Sequence, residues 1–343
     1  MRSHLRAVIV LAAGAALLVL FFSNVDLRGV WRQILHANFA WLSLALVSMF
    51  ANLALRSWRW QYLLEPLGRI GFQHAFRATA VGFAASTVLP ARAGEVIRPY
   101  FLSRQNSRIS ATGAFATVIL ERVLDMVTVL ALLAIYVIFL APVATASNHM
   151  AFEAVKWAGM TAAVGALAAM VVLFLLAGHP ARLAKTLTGL EAVLPSRLAG
   201  LLARIAEKFA TGLGAIRKPG RLFVSLVLSF PLWLSIALGI WSVAMAFRLA
   251  ISFSGSFLVV ALLVVGVAVP TPGAVGGFHT AFRLAATTFF GAPDDAAVGA
   301  AVVLHLLTVG PTLFLGLLFA AQEGLNLTGM ATLADQADSE GAA

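Results

Sequence analysis

Few side chains in this chain can do polar chemistry, and most of them cluster. The segment Leu89–Gln105, LPARAGEVIRPYFLSRQ, sets Arg92, Glu95 and Arg98 around Pro90 and Gly94, directly after the apolar run Phe83–Leu89. In Ile119–Asp125, ILERVLD, Glu121 and Asp125 lie four apart and share one helical face, with Arg122 three residues before Asp125. Two carboxylates about 6 Å apart repel unless a base lies between them, and Arg98 or Arg92 is a candidate for that base. The group reads equally as a substrate contact or as an ion-pair cluster pinning the Pro/Gly segment to the helix. In Leu55–Tyr62, LRSWRWQY, Arg56 and Arg59 are three apart and point the same way among Trp58, Trp60 and Tyr62. That pattern fits an interfacial belt with snorkelling arginines. It also fits a clamp for a headgroup phosphate, since guanidinium forks match phosphate oxygens. Finally, His279 and Arg283 follow the second break, Pro270–Gly277 with the sequence PTPGAVGG, and His305 stands six residues before Pro311 in the last apolar run. A lone buried histidine more often hydrogen-bonds a neighbour than carries protons; His279, beside the break, is the stronger site candidate.

Several chemistries are excluded. There is no cysteine, so thiolate nucleophiles and cysteine-held metals are absent. No HExxH or DxD occurs and the seven histidines are scattered, so neither metal nor cofactor is expected. A general base would have to come from Glu95, Glu121 or Asp125, each beside an arginine, which is a poor setting for one. The formal charge of +10 does not indicate nucleic acid, because the basic residues punctuate apolar runs instead of forming a basic face. Anionic lipid headgroups are the expected counter-charge.

The elements that hold these residues must be membrane helices. Of 343 residues, 61% are hydrophobic and 11% charged, a balance no water-soluble fold carries. An all-α polytopic membrane protein is expected, with one transmembrane domain over 1–325. Runs of about twenty apolar residues span a bilayer. Six qualify: 6–22, 39–63, 112–140, 157–177, 222–247 and 296–321. The first of these is read as a retained span, not a cleaved signal peptide. Segments 75–90 and 256–290 are too short or too broken to cross, and basic flanks on both sides of the first make it re-entrant. A plain hydropathy count gives about eight spans. The loop 141–156 reads as external. Eight basic residues place 178–221 in the cytoplasm, with an amphipathic interfacial helix around Leu198–Ile216. Both termini are then cytoplasmic, and 326–343 forms a short acidic disordered tail.

The two broken segments echo one another. Pro90 and Gly94 correspond to Pro272 and Gly276, 182 positions later, and the topology has them approach from opposite sides. Paired broken helices in oppositely oriented halves are the mark of an inverted-repeat transporter, with its site where the breaks meet. Proline and glycine free peptide groups that lipid cannot satisfy, so a break must face protein, water or a polar ligand. A half-helix starting there points its amides at the gap, which suits an anion.

Taken in order, Arg92-Ala93-Gly94-Glu95 with Arg98, Glu121-Arg122 with Asp125, and Pro270-Thr271-Pro272-Gly273 with Gly276 resemble the membrane domain of lysylphosphatidylglycerol synthases, over about residues 10–320. That family includes stand-alone flippase-like proteins. The resemblance implies a lipid translocase of the bacterial inner membrane for an amphiphile with an anionic or zwitterionic headgroup: phospholipid, aminoacylated lipid, hopanoid or polyprenyl-linked sugar. Arg56, Arg59, Arg92 and Arg98 would meet the headgroup, Glu121 and Asp125 would hold those arginines, and Pro272, Gly273, Gly276 and Gly277 would form an outer gate. Glu95, Arg122, His279, Arg283 and His305 complete the expected path. Full-length synthases carry a soluble aminoacyl-transfer domain, which is not expected here. Relatives often have an acid where His279 stands, so a proton-coupled role for that position is not expected. A lipid-linked-substrate enzyme and a non-transporting scaffold are the alternatives, and a homo-oligomer is compatible with either.

Overall fold

The computed structural model describes residues 21, 26–89, 92–106, 108–140, 149–178, 209, 213–215, 218–268 and 271–323. Among these the regular structure is helical: α1 (Leu27–Leu35), α2 (Phe39–Leu64), α3 (Phe72–Val88), α4 (Gly94–Gln105), α5 (Ala111–Ile135), α6 (His149–Gly178), α7 (Pro219–Ala246), α8 (Gly255–Gly266), α9 (Gly277–Phe290) and α10 (Asp294–Gln322). Short polar side chains open several of them. Asp26, Asn38 and Ser110 accept from the amides of Arg28, Ala40 and Gly113 at 3.0, 3.0 and 3.1 Å. Proline at the start of α7 is pre-set for helix and loses nothing by lacking an N–H.

Among the described residues, five helices are long and apolar enough to cross a bilayer: α2, α5 with its π-helical extension Tyr136–Leu140, α6, α7 and α10. They correspond to five of the six expected spans. The sixth, 6–22, lies outside the described residues apart from Phe21, as do the interfacial helix apart from a few positions and the acidic tail. One boundary differs. Of the loop expected over 141–156, residues 141–148 lie outside the described residues and the rest is helical from His149, with Glu153 pairing to Lys156 at 3.1 Å within a turn. Helix α1 has no counterpart among the expected elements: it is short, and its Arg28 and Arg32 break up the apolar run.

Each broken segment folds as an antiparallel hairpin. α3 and α4 have 17 and 12 residues, α8 and α9 have 12 and 14, so at 1.5 Å per residue none exceeds about 26 Å, short of the roughly 30 Å hydrocarbon core. Glycine lets the arms close. A Cβ on Gly94 would collide with the Gly82 carbonyl, and one on Gly266 would sit 2.5 Å from the Gly277 carbonyl. Such small-residue contact is what holds helices together in lipid, where burying apolar surface between helices gains little.

Helix α10 fixes the orientation of the two hairpins. At its C-terminal end, Gln105 donates to Glu323 at 3.0 Å and Phe76 packs on Phe319, so the open base of α3–α4 lies there. At its N-terminal end, α9 turns through Gly291 and Arg283 bonds Asp294 at 2.9 Å, placing the other base there. Midway, His305 bonds the Gly273 carbonyl at 2.8 Å, and closer to the C-terminal end Gly316 packs against Ala80. The hairpins therefore enter from opposite ends of a membrane-length helix and meet beside its middle.

Candidate functional site

The cluster is built on α2, which carries Arg56 and Arg59 one turn apart on its buried face, and on α5, which carries Glu121 and Asp125 four residues apart. Arg59 is fully buried and bridges the two acids, to Asp125 Oδ1 at 2.7 Å and Glu121 Oε1 at 3.3 Å. It also donates to Ser229 Oγ on α7 at 2.6 Å. Arg56 reaches Asp125 Oδ2 at 3.2 Å, and the Trp233 indole donates to Asp125 Oδ1 at 3.0 Å. From the first hairpin, Arg98 Nη1 donates to Glu121 Oε2 at 2.7 Å. Its guanidinium carbon stands 3.7 Å from the centroid of Trp60, whose own N–H is tied to Thr117 at 3.0 Å. Three buried arginines thus face two buried carboxylates, an arrangement that only mutual pairing makes tolerable in the bilayer.

Beside this cluster lies a cavity of about 200 Å³ where the hairpin tips meet. α3 lines it with Thr79, Ser86 and Thr87, and the first break contributes Arg92, Glu95 and Arg98. α5 adds Arg122, and the second tip adds Thr271, Gly273 and Ala274. At the rim, Arg92 pairs with Glu95 at 3.6 Å and donates from Nη2 to the Val267 carbonyl at 2.8 Å, joining one tip to the other. The joint is strained: Arg92 and Ala274 hold left-handed backbone at φ 55° and 57°, as Gly273 does at 60°.

The structure brings together Arg92, Glu95, Arg98, Arg122 and Gly273 on the cavity wall, with Glu121 and Asp125 behind it. Arg56 and Arg59, expected to meet a headgroup, do not line the cavity; their guanidinium groups are taken up by the carboxylates. The base that bridges the two acids is accordingly Arg59, which reaches both, while Arg98 reaches Glu121 alone and Arg92 pairs with Glu95 instead. His279 is buried behind the second tip, 4.5 Å from the His305 ring and 5.0 Å from Phe21. Arg283 lies at the hairpin base against Asp294 and the Phe21 carbonyl, away from the cavity. Pro272, Gly276 and Gly277 shape the second tip, Gly276 through its φ of 90°. Ser229, Trp233, Ser86 and Thr271 are site residues that sequence reasoning misses. Single hydroxyls and indoles in apolar runs carry no local pattern, and only the helix packing gives them a role.

Comparison with known proteins agrees with this architecture. The family model described as the lysylphosphatidylglycerol synthase TM region matches residues 6–316. A "UPF0104 membrane protein" of Methanothermobacter thermautotrophicus is 28% identical over 179 residues, which cover 51% of this chain and 49% of the relative. The match therefore spans about half the length of that relative. A family match over most of the chain, on a multi-pass helical membrane protein with its charges gathered at two broken hairpins, places this protein in the lysylphosphatidylglycerol synthase transmembrane-region family.

Proposed function

We propose that the protein is a lipid translocase, moving an amphiphile with an anionic or zwitterionic headgroup between leaflets while its tails stay in the bilayer. One observation carries this reading: two helical hairpins from opposite ends of α10 meet tip to tip around a cavity walled by arginine, carboxylate and hydroxyl groups. Crossing requires a polar path only for the headgroup, since the tails are already in a solvent that suits them. The hairpins offer that path in two halves, the meeting tips acting as the barrier between them. Arg98, Arg92 and Arg122 receive the headgroup. Glu121, Asp125, Arg56 and Arg59 form the rigid bed that positions Arg98. The positive-inside pattern supports a bacterial inner membrane orientation with both termini and the base of the first hairpin in the cytoplasm.

Reconstitution tests the reading. Vesicles containing the purified protein are expected to move fluorescent phospholipid between leaflets faster than protein-free vesicles, and Arg98→Ala is expected to remove the excess while the protein remains inserted. Movement no faster than in empty vesicles would favour a scaffold role. Turnover of a lipid-linked sugar in detergent, where no second leaflet exists, would favour an enzyme.

A further inference from the structure

We infer that α1 is a lipid-surface binding element that lies flat in the headgroup layer, with Leu27, Trp31 and Leu35 in the upper acyl region and Arg28 and Arg32 on the phosphates of anionic lipids. Residence in a bilayer is all that this requires; α1 would bind lipid whether or not the protein moves it.

Both ends of α1 are fixed at one level of the bundle. Near its start, Gly29 lies against the carboxylate of Asp295, which belongs to the first turn of α10. Just past its end, the Asn38 amide donates at 3.1 Å to the carbonyl of Ala246, the last residue of α7, while the Asn38 side chain caps α2. Three membrane-length helices begin or stop at these contacts. The nine residues of α1, about 13 Å long, therefore run along the membrane boundary and not through it.

The helical period places Leu27, Val30, Trp31, Ile34 and Leu35 on one side of α1 and Arg28, Arg32 and Gln33 on the other. Protein covers only part of the apolar side: Val30 is buried, and Ile34 packs at Gly299 of α10. Leu27, Trp31 and Leu35, recurring every four residues, are 62%, 63% and 65% exposed, and Phe39 at the start of α2 extends the row. A row of that kind beside a basic flank is the device by which a helix lies in the interface plane, with tryptophan at the depth it prefers. The flank names the lipid. Arg28 and Arg32 are one turn apart and exposed, and neither forms an ion pair with a described residue. Asp26 accepts from the Arg28 amide as the helix cap, and Asp294 is taken by Arg283. Two uncompensated guanidinium groups at headgroup level attract lipids of net negative charge, and their forks fit phosphate oxygens.

Since the chain has no cysteine, a single one directs a label to a chosen position. The polarity-sensitive fluorophore NBD is attached at Leu35→Cys, with Gln33→Cys as the water-facing reference, and the full chain is reconstituted in phosphatidylcholine vesicles. These carry a fixed mole fraction of phosphatidylcholine or phosphatidylserine bearing a nitroxide high on the acyl chain. The label at position 35 is expected to emit brightly and to be quenched by both lipids, by the serine lipid about twofold more strongly or beyond. The label at position 33 is expected to emit weakly. Adding Arg28→Gln and Arg32→Gln is expected to make the two lipids quench equally while quenching by phosphatidylcholine persists, which shows that the variant is inserted and α1 still seated. A dim, unquenched label at position 35 would place α1 in water, and a bright but unquenched one would mean that protein covers the row; either overturns the inference. Equal quenching by the two lipids in the parent protein, or a preference that survives loss of both arginines, would equally overturn the assignment of anionic lipid to Arg28 and Arg32.

Discussion

Arg59 is the residue on which the buried network turns. It is fully enclosed and touches both carboxylates and Ser229. Arg59→Ala would leave Glu121 and Asp125 facing each other across a vacated space, and losing one partner of a buried ion pair costs about 3–5 kcal/mol. The expected result is a protein that no longer survives detergent extraction as a monodisperse species, read by size-exclusion chromatography and thermal unfolding. Arg59→Lys, with one point charge in place of a fork, is expected to fall between. An Arg59→Ala protein as stable as wild type would mean that the cluster is solvated and holds nothing together. The shared face of Glu121 and Asp125 is readable in the chain, since a spacing of four on a helix defines one face. The identity of their shared base is not, because it depends on how α2 lies against α5, which no local pattern encodes.

At the scale of elements, the hairpins owe their shape to glycine contact and to two latches. Gly94→Val would drive a branched side chain into the Gly82 carbonyl and splay α3 from α4. It is expected to abolish lipid movement and to speed hydrogen exchange along α3 and α4, whereas Gly165→Val, at a position with open space around it, is expected to do neither. Equal behaviour of the two variants would remove close packing as the cause of the hairpin. The latches are Arg92 on the Val267 carbonyl and His305 on the Gly273 carbonyl. His305→Phe fills the same space without the bond, so it is expected to loosen the second tip and speed hydrogen exchange around Thr271–Gly276; exchange at the wild-type rate would mean that the ring packs there without securing the tip. The breaks themselves are visible in the chain, because proline and glycine at Pro90, Gly94, Pro272 and Gly276 interrupt apolar runs. Less visible are α1 and the early start of α6. Both mix charged and apolar residues over less than one span, so hydropathy averages them away.

For the whole molecule, the decisive property is that the two tips meet and, in a carrier, must part. The sequence echo between Pro90–Gly94 and Pro272–Gly276 leads one to expect opposed hairpins; α10 as a common ruler converts that expectation into geometry. The chain contains no cysteine, so a designed pair reports cleanly. A side chain at Gly273 would begin 3.6 Å from the Thr87 methyl, close enough for a Thr87→Cys/Gly273→Cys pair to form a disulfide once the backbone adjusts. Gly273 has φ 60°, and cysteine there carries strain of about 1–2 kcal/mol, which a membrane bundle of this size can absorb. Under oxidation the pair is expected to cross-link in high yield and to halt lipid movement, and reduction is expected to restore it, with each single-cysteine variant indifferent to either reagent. Such an outcome would show that the tips separate in every cycle. Undiminished movement through fully cross-linked protein would mean that the headgroup passes along a path the tips do not gate, and the opposed hairpins would then be a fixed scaffold for a cavity loaded from one side.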